Sequence, residues 1–327
     1  MIEATRSAAP TTPGPVTATA APLTQLEQQL QLLLDEATTL IEAGRCIEAY
    51  RLLCPPLSAL WTEARSTGRQ DEVLAQARAH RLRELVMQDP FTQRAFDKPR
   101  GYAGDAVMMD MIYRSEAPAG TSPLGQAIFA ATTRAPMCLS VRYRRVLLRS
   151  LIDDVAAAVP GGRMLSVASG HCRELEGSLV ATPAFGGEFV ALDQDPLSCA
   201  EVAASTAGQR VRVVNQGVRE LMARGHADLG QFDLIYSAGL YDYLSDGLAR
   251  RLTSQLLSLL RPGGRLLIAN FVPSGSARGY QELFMDWNLI LRNEADMRLL
   301  CAAAGAEQAS TFVDPHRNVV YAEMLAR

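Results

Sequence analysis

"GRMLSVASGHCRELEGSLV", residues 162–180, and the run soon after it, "GEFVALDQDP" at 187–196, decide the fold. The first is a short apolar strand that turns through small residues into a helical pattern, and the second is a strand that ends in acids. The alternation then continues. "LSCAEVAAST" (197–206) reads as a helix, "VRVVNQGVREL" (211–221) as strand then helix, and "FDLIYSAGLYDYL" (232–244) as strand then loop. "GLARRLTSQLLSLLRPGG" (247–264) is an amphipathic helix with a Pro-Gly-Gly stop, and "RLLIANFVP" (265–273) is the next strand. Repeated βα units of this length imply an α/β protein with a parallel, doubly wound, Rossmann-like sheet. The end differs: "ASTFVDPHRNVVYAEMLAR" (309–327) reads as two strands joined by a short turn. The expected sheet is therefore seven-stranded with its last strand antiparallel.

Upstream the texture is helical. Residues 1–22 are rich in Ala, Thr and Pro with nothing to bury, which predicts a disordered tail. From Leu23, residues Leu26, Leu30, Leu33, Leu34, Leu40 and Ile41 recur at three- and four-residue steps, predicting a helix that ends near Gly44. A second helix runs from Ile47 to Leu53, where "CPP" breaks it; a third starts near Leu57; a fourth runs from Asp71 to about Met87. One or two more cover residues 123–159. The division expected is a tail at 1–22, an all-helical lid at 23–135 and a Rossmann-like domain at 136–327. The Leu stripe marks a core-facing helix, with a homodimer through the N-terminal helices as the alternative.

Composition narrows the function. The chain has 327 residues, 48% hydrophobic, with a net charge of -3 that gives no field for gathering nucleic acid or anionic lipid. Its six cysteines are scattered, with no CxxC pair and no nearby His at metal spacing, which argues for reduced thiols and against a metal site. The N-terminus has neither a basic start nor an apolar run, and no apolar stretch is long enough to span a membrane. A cytoplasmic protein without a membrane partner is expected.

In an open parallel sheet, ligands sit outside the carboxyl ends of the strands at the switch point. The first such end carries Ala168-Ser169-Gly170, a small-residue turn that lets a polar ligand approach backbone. The second ends at Asp193, followed by Gln194 and Asp195; a carboxylate there can accept both hydroxyls of an adenosine ribose. The third ends at Asn215-Gln216-Gly217-Val218, where backbone and a small apolar side chain can flank an adenine edge. The fourth ends at Ser237-Ala238-Gly239-Leu240-Tyr241-Asp242, beside a reacting group.

This order, with "RPGGRLLIANF" and the closing strand pair, resembles the class I S-adenosylmethionine-dependent methyltransferases over about residues 140–327. A dinucleotide dehydrogenase would prefer G-x-G-x-x-G, of which only Gly170 remains. "RGYAGD" (100–105), "LSVASGHCREL" (165–175), "LIYSAGLYDYL" (234–244) and "MDWNLILRNEADM" (285–297) together resemble a bacterial subgroup. It includes the synthase of a 3-hydroxy fatty acid (3-hydroxypalmitate) methyl ester used as a quorum-sensing signal. The resemblance implies S-adenosylmethionine as cofactor and carboxyl O-methylation of a hydroxy fatty acid. O- or N-methylation of a secondary metabolite, or a non-catalytic cofactor-binding regulator, are the alternatives. One departure matters. Where the family has an acid and three alternating glycines, this chain has Ser166, Ala168, Gly170 and Cys172. Something else must hold the cofactor's amino acid end; Arg173, Glu174, Arg142 and Arg100 are at hand.

Methyl transfer from a sulfonium is an in-line displacement in which the protein mainly aligns the nucleophile and excludes water. A carboxylate acceptor needs no general base; for a hydroxyl or amine the candidates are His316, His171, Asp242 and Tyr241. Tyr241, Trp287 and Arg292 are the residues expected to touch a small-molecule acceptor. "DKPRGYAGDAVMMDMIY" (97–113) combines hinge-like Gly101 and Gly104 with a helix-capping Asp105. It is expected to fold over the sheet edge and bring Tyr102 and Arg100 to the cofactor's amino acid end.

Overall fold

Thr24 begins the ordered architecture by closing a capping box with Glu27, which satisfies two backbone donors at the start of α1 (Gln25–Glu42). The computed structural model describes residues 24–224 and 229–326, so the tail expected at 1–22 lies outside the described residues. Seven more helices follow: α2 (Cys46–Ser66), α3 (Gln70–Ala79), α4 (Arg81–Val86), α5 (Pro90–Asp97), α6 (Ala106–Arg114), α7 (Pro123–Thr132) and α8 (Pro136–Ala158). The α1 stripe of Leu26, Leu30, Leu34, Ala37 and Ile41 is buried inside this chain, and α1 packs against α2, α3 and α4. Each fully buried leucine contributes about 2 kcal/mol. The face proposed for a second copy is thus already covered.

Two helical boundaries differ from the pattern in the sequence. The "CPP" run does not break α2: Pro55 and Pro56 lie inside it. They remove two helical hydrogen bonds, but Leu53, Cys54, Leu57 and Trp61 bury a continuous face that holds both halves together. Conversely, the single helix expected from Asp71 to Met87 divides at His80. That residue is extended, with ψ 147°, and its side chain caps the N–H of Leu82.

The sheet comprises β1 (Arg163–Val167), β2 (Glu188–Asp193), β3 (Val211–Asn215), β4 (Phe232–Ser237), β5 (Leu260–Phe271), β6 (Gln308–Val313) and β7 (Val319–Leu325). Their order is β3-β2-β1-β4-β5-β7-β6. The first five pair in parallel and β7 is antiparallel to both β5 and β6, so the expected Rossmann-like seven-stranded sheet is present. Helices α9 (Pro196–Ser205), α10 (Val218–Arg224), α11 (Asp246–Ser258), α12 (Arg278–Leu283) and α13 (Glu294–Ala303) complete the chain. No helix among the described residues is long and apolar enough to cross a membrane.

The segment after β1, read in the sequence as a helix, is not an α-helix. It makes only 3-10 turns at Arg173–Leu175 and Leu179–Ala181. Gly177 at φ 76° interrupts it, and Asp153 of α8 captures the Ser178 hydroxyl and the Leu179 N–H. Likewise "RPGG" is absorbed into β5, whose register against β4 shifts there.

One apolar cluster runs from Leu26 of α1 to Tyr321 of β7, so the N-terminal helices share their core with one face of the sheet. The other face packs on residues of α10, α11 and α13. The chain reverses direction across the sheet between β1 and β4, and the carboxyl edge there is the switch point.

Candidate functional site

The turn after β1 holds three left-handed residues in alternation: Ala168 at φ 56°, Gly170 at 55° and Cys172 at 49°. These are the alternating positions 168, 170 and 172 of the sequence motif, and only one is glycine. The left-handed shape holds although two of the three positions carry a side chain, at a cost of about 1–2 kcal/mol for each side chain forced into that region. The shape has a use. Gly170 donates its N–H to Asp193 Oδ2 at 2.8 Å, and Asp195 donates its N–H to Asp193 Oδ1 at 2.8 Å. Asp193 is buried, and burial raises its carboxyl above the usual range despite these two bonds.

The neighbouring strand ends complete the edge. Ser169 donates its N–H to Leu192 O, and Gln216 donates its N–H to Asp193 O. The open face of Gly217 looks onto the Gln194 side chain, 3.8 Å from where a Cβ would stand, and Val218 starts α10. Ser237 turns its hydroxyl back to Val167 O at 3.0 Å. The structure thus brings Ala168, Ser169, Gly170, Asp193, Gln194, Gly217, Val218, Ser237, Ala238 and Gly239 to one edge.

The loop between α5 and α6 lies across that edge. Arg100 places its NH1 2.7 Å from Asp195 Oδ2 and 3.0 Å from the Ser198 hydroxyl. Tyr102 meets Tyr243 edge-on, ring centres 6.3 Å apart. Lys98 pairs with Asp286. Asp105 caps α6 through the Met108 N–H and also holds Arg94. One helical turn on, Asp110 accepts from Arg173 Nε at 2.8 Å and faces His171 Nδ1 at 2.9 Å. Burial opposes its ionisation, but the Arg173 and His171 hydrogen bonds hold it well below the usual carboxylate range. His171 is therefore a buried strut in this clamp.

Arg142 is not at the edge. Its Nε donates to Ile112 O at 2.8 Å and its terminal nitrogen to the Ser115 hydroxyl, at the far end of α6. Arg144, two residues on and turned to the other side of α8, takes the place expected for it. Its NH1 donates to Ala238 O, and both terminal nitrogens lie 3.8–3.9 Å from the open face of Gly239. Arg144 is buried, and among the described residues its Nε meets no hydrogen-bond partner. The helical repeat of α8 is the signal that separates the two arginines, since residues two apart face different ways. Glu174, one of the residues named for the amino acid end, lies close by. It is buried beneath the turn, accepts the Tyr236 hydroxyl at 2.5 Å, and burial raises its carboxyl. Tyr236 pairs with Ser166 across β1 and β4, so Glu174 places a carboxyl beside the position that lacks one.

Of the residues expected to react, Tyr241 does not reach the edge. It is fully buried on the opposite face of the sheet, hydrogen-bonded to the Thr253 hydroxyl at 2.8 Å. Arg292, expected to touch the acceptor, does not: its guanidinium is filled by Tyr241 O, Asn270 Oδ1, Leu244 O and Asp246, leaving no donor for a substrate. His316 sits exposed in the β6–β7 turn, two strands beyond β4, with its N–H bonded to Asp314. Asp242 remains. Its Oδ1 accepts the Phe271 N–H at 2.7 Å, and burial pushes its carboxyl up to about 7 against the pull of that bond and of Arg144 and Arg292.

Trp287 stands between the edge and an apolar chamber. Its Nε1 donates to Tyr243 Oη at 2.8 Å. Its ring helps line a space walled by Phe91, Ile112, Met137, Phe271, Tyr280 and Met285. Among the described residues no His, Cys, Asp and Glu set is grouped to hold a metal ion.

No protein-family model and no curated protein matches the chain. Among solved structures, a possible exported protein from Bordetella parapertussis matches 93% of this chain and 97% of its own at a TM-score of 0.55 and 18% identity. At that identity the likeness shows the fold, helical region and sheet together. The magnesium protoporphyrin IX methyltransferase of Synechocystis PCC 6803 with bound S-adenosylmethionine matches over 58% of this chain and 83% of its own, at 15% identity and TM-score 0.41. The N-methyltransferase NodS of Bradyrhizobium japonicum WM9 in complex with S-adenosylhomocysteine covers 67% of this chain and 97% of its own, at 13% and 0.42.

Proposed function

We propose that the chain is an S-adenosylmethionine-dependent methyltransferase acting on a small apolar molecule. The observation that carries this reading is the switch-point edge: a left-handed 168–172 turn fixed to the Asp193 carboxylate, with the buried Arg144 donating to Ala238 O at the neighbouring strand end. The donor set fits the cofactor. The terminal nitrogens of Arg144 stand 3.8–3.9 Å from the open face of Gly239, and the carboxylate of an amino acid end is an acceptor that a planar guanidinium pairs with. Asp193 would take the ribose hydroxyls, Gly217 and Gln194 would flank the adenine, and Arg144 with Arg100 and Tyr102 would hold the amino acid end. The cofactor supplies a methyl already activated by its sulfonium. The chain's own work is alignment and exclusion of water by the 97–105 loop.

Carboxyl O-methylation of a hydroxy fatty acid is the finer reading. An ionised carboxylate needs no base, and the chamber beside Trp287 is apolar. A second reading, O- or N-methylation of a secondary metabolite, would draw on Asp242, the one carboxyl among the base candidates at the fourth strand end, whose burial raises it above the usual range. The six cysteines, all unpaired, suit a reducing cytoplasm. Calorimetry with S-adenosylmethionine and with NAD tests the assignment, and tighter NAD binding would sink it. Labelled methyl transfer to a cell extract then separates an enzyme from a cofactor-sensing regulator, which would bind and leave no labelled product.

A further inference from the structure

The chamber beside Trp287 contains one polar atom out of place. Gln281 of α12 is 6% exposed, lines the chamber, and among the described residues its Nε2 meets no hydrogen-bond partner. A buried donor left unpaired is costly, and native proteins rarely tolerate one without a use. Around it the walls are apolar: Phe91 of α5, Ile112 of α6, Val141 of α8, Phe271 of β5 and Tyr280 of α12. A second space, sharing Met137, Phe271, Gln281 and Trp287, continues toward Arg278, Glu282 and Asn318.

We propose that this chamber is the acceptor site, and that the Gln281 amide receives an oxygen of an apolar molecule, a carbonyl or carboxylate at the end of a hydrocarbon body. The word acceptor rests on the methyltransferase reading above; the binding of such a molecule does not. Position supports it, because Trp287 is the shared wall. One side of its indole faces the chamber, and its Nε1 holds Tyr243, which in turn packs on Tyr102 at the sheet edge. A polar end held at Gln281 therefore lies next to the reacting edge while the body runs under the helices. The chamber is narrow, about 30 Å³, which holds a water, so a ligand requires its walls to move. Met137 and Met285 line it, and unbranched methionines can swing aside to widen it.

Decanoate is the probe, followed by calorimetry and by the fluorescence of Trp287, one of two tryptophans. Saturable binding is expected, about ten-fold weaker in Gln281→Leu, from loss of one hydrogen bond to a charged group. Decyltrimethylammonium, with the same tail and no acceptor oxygen, should not distinguish the two proteins. Ala277→Trp, or the milder Ala277→Leu, should abolish or weaken binding by filling the space. S-adenosylhomocysteine should bind all these variants as it binds the native chain, which also shows that they fold. Decanoate that fails to bind the native protein, or binds Gln281→Leu and the Ala277 variants equally well, overturns the proposal. If decanoate behaves as stated and S-adenosylhomocysteine binds nowhere, the chamber stands and the methyltransferase reading falls.

Discussion

Arg100 crosses from the loop before α6 to within 2.7 Å of Asp195, at the N-cap of α9. Burial opposes the ionisation of Asp195, but its hydrogen bonds to Ser198 and the Leu197 N–H, together with Arg100, keep its carboxyl below the usual range. The pair ties a segment far from the sheet in sequence to the strand end that carries Asp193.

Arg100→Ala should therefore loosen the loop and weaken S-adenosylhomocysteine binding about ten-fold, the loss expected for one charge-assisted hydrogen bond. Tyr102→Phe should weaken it less. Both proteins should keep the native circular dichroism. Unchanged affinity in both variants would reduce the loop to a connection between helices.

Arg144 is the next test. Arg144→Lys keeps the charge but loses the planar fork, and should raise the dissociation constant for S-adenosylhomocysteine at least about ten-fold. Arg142→Lys, at the far end of α6, should leave it unchanged. Equal effects at the two positions would show that the arginines act only through α8.

The left-handed turn makes a prediction about stability. Ala168→Gly removes about 1–2 kcal/mol of backbone strain and adds about 0.5–1 kcal/mol of unfolded-state entropy. A net gain of about 0.5–1 kcal/mol should appear in urea denaturation. A lower midpoint would mean that position 168 is not strained.

Asp242 ties stability to pH. Its folded pKa of about 7 lies above the ordinary 3.8, so the folded protein holds this proton more tightly than the unfolded chain does. Stability from this group is then greatest at low pH and falls as pH rises from about 4 through 7. Asp242→Asn keeps an acceptor for the Phe271 N–H and removes the titration. The difference in melting temperature, variant minus native, should grow in the variant's favour between pH 5 and pH 8. A flat difference would place Asp242 in a more solvated environment than its burial indicates.

The sheet was legible because it is written locally: apolar strands, acids and turns follow one another in chain order, and the β6–β7 hairpin is contiguous. The strand-end residues Gly170, Asp193 and Gly217 were legible for the same reason, since topology fixes where strand ends go. Arg144 was not, and Glu174 stood in the sequence only as one of several residues at hand. Arg144 is set by the helical phase of α8, which the repeat carries once the helix bounds are known, and Glu174 by an irregular turn that no periodicity marks. Tyr241 misled because one residue separates the two faces at the end of β4: Asp242 turns toward Phe271, while Tyr241 packs under α11. Pro55 and Pro56 misled because tertiary burial outweighs the local penalty.

Gly104 has a consequence for how the two spaces communicate. A methyl group at that position would stand 2.6 Å from Trp287 Cζ2 and 2.7 Å from Tyr243 Oη, so the loop backbone lies flat on the indole. Loop and indole therefore share one packed surface between the strand-end pocket and the apolar chamber. On the proposed methyltransferase reading, occupancy of the chamber should prolong residence at the strand ends, so that saturating decanoate slows the off-rate of S-adenosylhomocysteine. Stopped-flow release with and without decanoate would read that coupling directly, and equal off-rates would show two independent spaces.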